Sequence, residues 1–279
     1  MIMKKLYCLL FCLLIVNVSF AQEFLVLHTN DMHSRIEPFA KDYLDTLVAG
    51  KGGMMRRANF IAEQRQKNKN VLVFDSGDFS QGTAYYNIFK GAVEIEMMNA
   101  MKYDACTIGN HEFDFGLQNM ARLFKMAKFP IVCSNYGVEG TMLDGLVKDY
   151  VVLERAGIRI GVFGLSPKML GLISRAKFGD VKMKDPIEDA QRVVDILRTV
   201  EKCDFVICLS HLGWDSGTEN DQNLIKHTRG IDLVCGGHSH TYFEEPKAVK
   251  NMDGQDVYVS QMGKHGAFVG YMKVKMQKK

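Results

Sequence analysis

Ala105-Cys106-Thr107-Ile108-Gly109-Asn110-His111-Glu112-Phe113-Asp114 is the stretch on which the reading of this chain turns. Four residues suited to a buried strand run into a glycine, and then into a cluster of groups that hydrogen-bond, titrate or ligate metals. A helical pattern over 117–128 follows. The same order recurs along the chain. The apolar run 24–27 leads into His28-Thr29-Asn30-Asp31-Met32-His33, and 71–74 leads into Asp75-Ser76-Gly77-Asp78. Run 205–209 leads into Ser210-His211, and 231–235 into Gly236-Gly237-His238-Ser239-His240. Helical patterns at 54–66 and 92–102 lie between the early runs. This alternation predicts an α/β fold whose strands carry their chemistry at their carboxyl ends, where rigid strands hold converging loops.

Further elements refine that layout. Asp185 is placed to cap a helix, Pro186 suits its first turn, and Glu188 completes a D-x-x-E capping box. Ile187, Val193, Val194, Ile196, Leu197 and Val200 then form its core-facing side. Residues 150–153 and 158–162, joined through Arg155-Ala156-Gly157, read as a β-hairpin, so strand pairing is mixed rather than purely parallel. Strands are expected again at 257–259 and 268–276. No linker and no internal repeat divides the chain.

The first residues are set apart by composition. Lys4 and Lys5 precede an apolar run over 6–18, and Ser19-Phe20-Ala21 puts small residues where a signal peptidase needs them. This predicts a signal peptide over 1–21 and a mature catalytic domain over 22–279, exported to the periplasm or the exterior. Taking Lys4 and Lys5 from the 35 basic residues leaves 33 against 32 acidic ones. A nearly neutral chain gives no general reason to expect nucleic-acid or membrane binding. Five cysteines remain: Cys106, Cys133, Cys203, Cys208 and Cys235. An odd count cannot pair completely, and the apolar surroundings read as buried thiols with room for one disulfide.

Residues two apart in an extended segment point the same way, roughly 6.5–7 Å apart. Asp31 with His33, and His238 with His240, are therefore expected to present paired ligands. A single histidine after a strand is more often structural, and Asp75, Asp78 and Asp114 also suit turns and caps. The conjunction decides the matter, because His33, His111, His211, His238 and His240 are five of the chain's eight histidines. Four of them, His33, His211, His238 and His240, exceed one tetrahedral site together with Asp31, Asp78 and the Asn110 amide, and suit two metals sharing a carboxylate. Imidazole and carboxylate donors favour zinc or manganese, with iron, cobalt or magnesium as alternatives.

His28-Thr29-Asn30-Asp31-x-His33, Gly77-Asp78-x-x-Gln81-Gly82-Thr83, Gly109-Asn110-His111-Glu112-Phe113-Asp114-x-Gly116, Ser210-His211-Leu212-Gly213 and Gly237-His238-Ser239-His240 resemble, in order, the five motifs of the calcineurin-like metallophosphoesterases. Thr-Asn-Asp and Gln-Gly-Thr resemble its 5′-nucleotidase and UDP-sugar hydrolase branch. The resemblance implies a four-layer α/β/β/α sandwich with mixed sheets and two divalent metals at one edge. By it, Asp31, His33 and His240 bind one ion, Asn110, His211 and His238 the other, and Asp78 bridges them. A metal-activated water then attacks phosphorus. His111, oriented by Asp114, contacts the phosphoryl group and protonates the leaving oxygen, and Asn110 also touches substrate. Glu112 is left open, while His28, His227 and His265 are given no catalytic part.

The resemblance implies small phosphate esters, nucleotides above all, as substrates in nucleotide catabolism. A phosphodiester, the pyrophosphate of a nucleotide sugar or a sulfur analogue would use the same residues. A non-catalytic binding or regulatory protein on this scaffold is the rival from another class, but it is expected to have lost a ligand or the His–Asp pair. Two-domain members of the family continue into a C-terminal domain whose aromatic residues grip the nucleoside. This sequence stops before that domain, and a separate chain is one source for it.

Overall fold

In the computed structural model, which describes residues 22–215 and 217–276, the strands alternate with helices as the apolar runs require. The first half contains β1 (Gln22–Thr29), α1 (Met54–Lys67), β2 (Val71–Asp75), α2 (Ala84–Phe89), α3 (Ala92–Ala100), β3 (Ala105–Cys106), α4 (Gly116–Met126) and β4 (Ile131–Val132). Next come β5 (Tyr136–Gly137), β6 (Val147–Lys148), β7 (Tyr150–Arg155), β8 (Ile158–Leu165), α5 (Arg175–Phe178) and β9 (Lys182–Met183). The last part holds α6 (Pro186–Thr199), β10 (Phe205–Ser210), α7 (Asp221–Lys226), β11 (Leu233–Cys235), β12 (Lys247–Lys250), β13 (Asp256–Ser260) and β14 (Gly270–Met276).

Two six-stranded sheets result, ordered β14-β1-β2-β3-β4-β6 and β12-β13-β11-β10-β8-β7, beside a small β5-β9 pair. Their central strands are parallel, while β14, β12 and β7 are antiparallel edges. Strand alternation then sorts the side chains into three apolar layers. Phe24, Val26, Leu72 and Phe74 meet Ile160, Val162, Ile207 and Leu209 between the sheets. Leu25, Leu27 and Val73 face the other way, onto α1, α3 and α4. Phe163, Leu165, Val206 and Cys208 pack on α6 and α7. Helix, sheet, sheet and helix are therefore four layers. No helix among the described residues is long and apolar enough to cross a membrane.

Local chemistry sets the helix ends. The Asp185 carboxylate accepts from the N–H groups of Ile187 and Glu188 at 2.8 and 3.0 Å, with Pro186 just inside the helix. Val200 departs from the expected core face: α6 ends at Thr199, and Val200 is 69% exposed at its C-cap. The five cysteines of residues 22–276 are buried and free, so the room left for a disulfide is not used. Cys208 and Cys235 sit on adjacent strands, but one faces the helices and the other the inter-sheet layer. Their register is offset by one residue, which sends the thiols to opposite faces. The signal peptide read over 1–21 lies outside the described residues.

Hydrogen bonds join the two sheets where β8 passes β4. The Ser134 N–H donates to Gly164 O at 2.8 Å, and Asn135 and Ser166 exchange two hydrogen bonds at 2.8 and 2.9 Å. A Cβ at Gly164 would fall inside the contact shells of Val132 O and Thr107 Oγ1, so only glycine fits. Gly164→Ala is expected to destabilise the fold by about 3 kcal/mol through this overlap, read as a lower urea midpoint at unchanged m. An unchanged midpoint would mean that the sheets can separate there freely.

Candidate functional site

The loop after β1 is fastened to the loop after β2 by its backbone. Asp31, His33 and Ser34 donate N–H bonds to the carbonyls of Gly77, Asp78 and Phe79 at 2.9 to 3.0 Å. Met32, fully buried, drops into the helix-side core, which leaves Asp31 and His33 on the other side. The extended segments assumed from i, i+2 spacing are not what forms. Asp31, His33, His238 and His240 take left-handed φ values of 47°, 45°, 69° and 56°, and Asp78 takes 54°. Tight turns, rather than pleated strand, aim these side chains. Such strain in non-glycine residues persists where the surroundings over-determine it.

The sequence-nominated groups come together in two clusters. Asp31, His33 and His240 place one donor atom each within 4.8 Å of one another, and so do Asp78, His211 and His238. His33, Asp78 and His111 form an overlapping third set. His33 Nε2 and His240 Nε2 lie 3.0 Å apart, and Asp31 Oδ1 is 3.3 Å from the latter. The nitrogen lone pairs would repel at that distance unless a proton or a cation lay between them. His211 Nε2 is buried 3.1 Å from Asp78 Oδ2 without the alignment of a hydrogen bond, and Asn110 Oδ1 is buried with no partner. Buried donor atoms left without partners beside the two clusters fit divalent cations. Oxygen and imidazole donors without a thiolate suit zinc, manganese or iron.

Charge tells the same story. Burial opposes ionisation of Asp78, yet His211, His111 and His33 hold its carboxyl below the usual carboxylate range. Burial likewise opposes a charged His211, but Asp78 and Asp31 outweigh it and raise its pKa. His238 shows the other outcome, with burial lowering it to about 4. His111 stands at the rim: its Nδ1 lies 3.0 Å from Asp114 Oδ2, and that hydrogen bond raises its pKa.

Glu112, left open from sequence, holds the site together. Its Oε2 accepts from Asp78 N–H at 3.0 Å and Gly109 N–H at 2.7 Å, while Oε1 accepts from Ser80 N–H at 3.1 Å. The Asp78 loop is thereby locked to the Asn110 loop. Two supports went unread. Asn30 donates to Asp31 Oδ2 at 2.7 Å and Gly263 O at 2.8 Å, and buried Gln261 donates to Gly237 O at 2.9 Å. A polar amide ending the run 257–261 was the only available signal for the second. His28 is buried against Ser260 Oγ at 2.9 Å, and His227 caps α7 at the surface. His265, given no catalytic part from sequence, has its ring 5.6 Å from that of His33.

The sequence profile described as Calcineurin-like phosphoesterase matches residues 24–242. A snake venom 5′-nucleotidase of Crotalus adamanteus is 32% identical over 95% of this chain and 47% of its own length. The human 5′-nucleotidase is 34% identical over 93% of this chain and 47% of its own. The crystal structure of a 5′-nucleotidase precursor from Thermus thermophilus superposes with a TM-score of 0.82 at 33% identity, covering 90% of this chain and 51% of that one. A Haemophilus influenzae NAD nucleotidase gives 0.81 at 29% identity, covering 92% of this chain and 48% of that one. This chain therefore spans about half the length of the curated relatives it matches.

Replacing Glu112 tests its bracing role. Glu112→Gln sets an NH₂ group against backbone donors and is expected to cost about 2–3 kcal/mol in stability, seen as a lower melting temperature. Weaker zinc or manganese binding should accompany it in calorimetric titration. If both quantities match the parent protein, Glu112 does not position the cluster.

Proposed function

The chain belongs to the calcineurin-like phosphoesterases, and on that footing we propose that it is a metal-dependent phosphohydrolase that releases phosphate from 5′-nucleotides and related monoesters. The observation that carries this reading is the juxtaposition of the two donor clusters with the His111–Asp114 pair at their rim. Asp31, His33 and His240 would hold one cation, and Asn110, His211 and His238 a second, with Asp78 between them. When bound, two such cations make water nucleophilic near neutral pH and offset charge on a phosphoryl group.

The rest falls to the chain's own side chains. Asp114 fixes His111 through Nδ1, so Nε2 carries the proton that the departing ester oxygen takes up. The same hydrogen bond raises the pKa of His111, which favours the charged ring. The His111 backbone N–H donates to Asp78 Oδ1 at 2.9 Å, which ties the acid to the carboxylate that would lie between the cations. The half-buried His111 ring is reachable by an ester on the surface. Asp31, Asp78 and His211 lie buried beneath it.

Nucleotides are favoured as substrates by the names of the relatives. Cleavage of a pyrophosphate bond is the second reading, favoured by the likeness to the NAD nucleotidase. Nucleoside selectivity rests either on these residues or on a further domain, for which a separate chain is one source. The composition of 1–21 supports export.

Phosphate release from AMP, an aryl phosphate and an aryl phosphodiester should be compared with zinc or manganese present. Monoesters are expected to be cleaved, and chelation to abolish the activity reversibly. His111→Ala should lower kcat by roughly 10²–10⁴-fold with metal still bound. Asp78→Ala should lose metal and activity together. Protein that carries metal yet cleaves none of these esters would overturn the proposal.

A further inference from the structure

Phe113 and Phe115 flank Asp114, and the fold treats them in opposite ways. Phe113 is fully buried in the helix-side layer, its ring 6.0 Å from that of Tyr136. Phe115, at the N-cap of α4, is 40% exposed and, among the described residues, packs in none of the three apolar layers. Its ring centre lies 5.0 Å from that of Tyr86, the two planes inclined at 46°. Tyr86 is buried, and its hydroxyl donates to His111 O at 3.4 Å. The exposed Lys90 ammonium lies 5.3 Å from the Phe115 ring centre. Phe115 is thus tied to the His111 turn twice, through Asp114 along the chain and through Tyr86 in space.

The proposed chemistry fixes where the rest of a substrate lies. His111 Nε2 gives its proton to the departing ester oxygen, so that oxygen sits within hydrogen-bond reach of the ring. What is bonded to the oxygen leads away from Asp31, Asp78 and His211, which have essentially no exposure. The leaving group therefore occupies the surface beside His111. Other exposed aromatic rings stand elsewhere. Tyr43 packs on Phe39 at 4.8 Å, and Phe39 lies 6.0 Å from His265, which leads to the candidate ligand His33 rather than to the acid. Phe89 meets Arg122, about two turns along α4 from Phe115. Tyr258 and Tyr271 line a hollow with Phe205 and Leu233, the first residues of β10 and β11, at the strand ends opposite the site.

We infer that Phe115 is the platform on which the base of a nucleoside monophosphate stacks while His111 delivers its proton to the leaving oxygen. An exposed aromatic ring, backed by a second ring, offers a nucleobase a large contact at little cost in side-chain entropy. Every base has a π-face, so such a platform separates esters that carry a base from those that do not, rather than one base from another. The inference rests on the proposed hydrolysis for the position of the leaving group, and it assigns part of the nucleoside selectivity to this chain. Phe115 touches the base and not the phosphoryl group, so it governs which esters are chosen rather than how they are cleaved.

Steady-state kinetics on AMP and ribose 5-phosphate, which share the scissile bond and the sugar and differ by the base, test it with zinc or manganese present. The parent chain is expected to favour AMP in kcat/KM. Phe115→Ala should lower that preference roughly fivefold or more, through KM for AMP. Phe115→Leu, which keeps apolar bulk over Tyr86, should lose it as well, and Phe115→Trp should keep it. A merely structural part for Phe115 would weaken both substrates together and leave their ratio as in the parent, which overturns the inference. So does a preference lost in Tyr43→Ala and kept in Phe115→Ala. Saturation-transfer NMR with adenosine, which has no phosphate to cleave, separates this inference from the hydrolysis. Transfer to the base protons that weakens in Phe115→Ala and Phe115→Leu supports the platform even in a chain that cleaves neither ester. Cleavage of both esters with one ratio in parent and variants keeps the hydrolysis and overturns the platform, and a parent that neither cleaves them nor shows transfer overturns both.

Discussion

Asp31 and Asp78 are carboxylates with essentially no solvent exposure, and among the described residues their charged neighbours are histidines rather than lysine or arginine. A buried carboxylate is costly unless hydrogen bonds and positive charge surround it. Much of the molecule answers that constraint. Backbone N–H groups of His111 and His238 reach Asp78 and Asp31, and Asn30 adds a side-chain donor. The positive charge must come from protonated imidazoles or from cations. Four imidazoles whose nitrogens converge to within a few ångströms cannot all be protonated, since like charges that close repel strongly. A site with surplus negative charge and unprotonated nitrogen donors is one prepared for divalent metals.

Holding such a site open requires rigidity on both sides. The loops after β1, β2 and β3 come from one sheet, and those after β10 and β11 from the other. The seam between them is closed by polar contacts rather than by packing alone. Ser76 donates to Cys235 O at 2.7 Å, His211 Nδ1 meets Ser76 O at 2.6 Å, and Asn30 accepts from Met262 N–H at 2.9 Å. The second His211 nitrogen is thereby left facing the carboxylates, with its tautomer set by the first. Glycines permit the approach: a Cβ on Gly77 would press on Gly109, and one on Gly237 on the His211 ring. The apolar layers supply the stiffness, and the polar seam sets the aim.

Much of this was legible in the sequence, because strand patterning and polar clusters are local signals. The runs before Asp31, Asp78, Asn110, His211 and His238 read as strands, the cap at Asp185 read correctly, and the order of motifs indicated the layered fold. Where the reading failed, the missing information was three-dimensional. Val200 continued the apolar side of a helix that stops at Thr199. Cys208 and Cys235 are near neighbours in register, yet they face different layers. His265 read only as a residue without a catalytic part, and the return of the chain from β13 to β14 brings it beside His33.

The sequence by itself determined which residue types stand at the ends of the strands, and hence the class of chemistry that a family resemblance could then name. It also determined the alternation that makes the fold α/β, while the four layers followed only from the resemblance. Only the tertiary structure decided the left-handed turns that aim Asp31, His33, His238 and His240, the part of Glu112 in locking two loops together, and the hold of buried Arg57 on Gly266 O. The physical reason is one of range. Hydrophobic periodicity and capping act between residues a few positions apart, whereas a buried charge is satisfied by whatever the fold brings to it from distant parts of the chain.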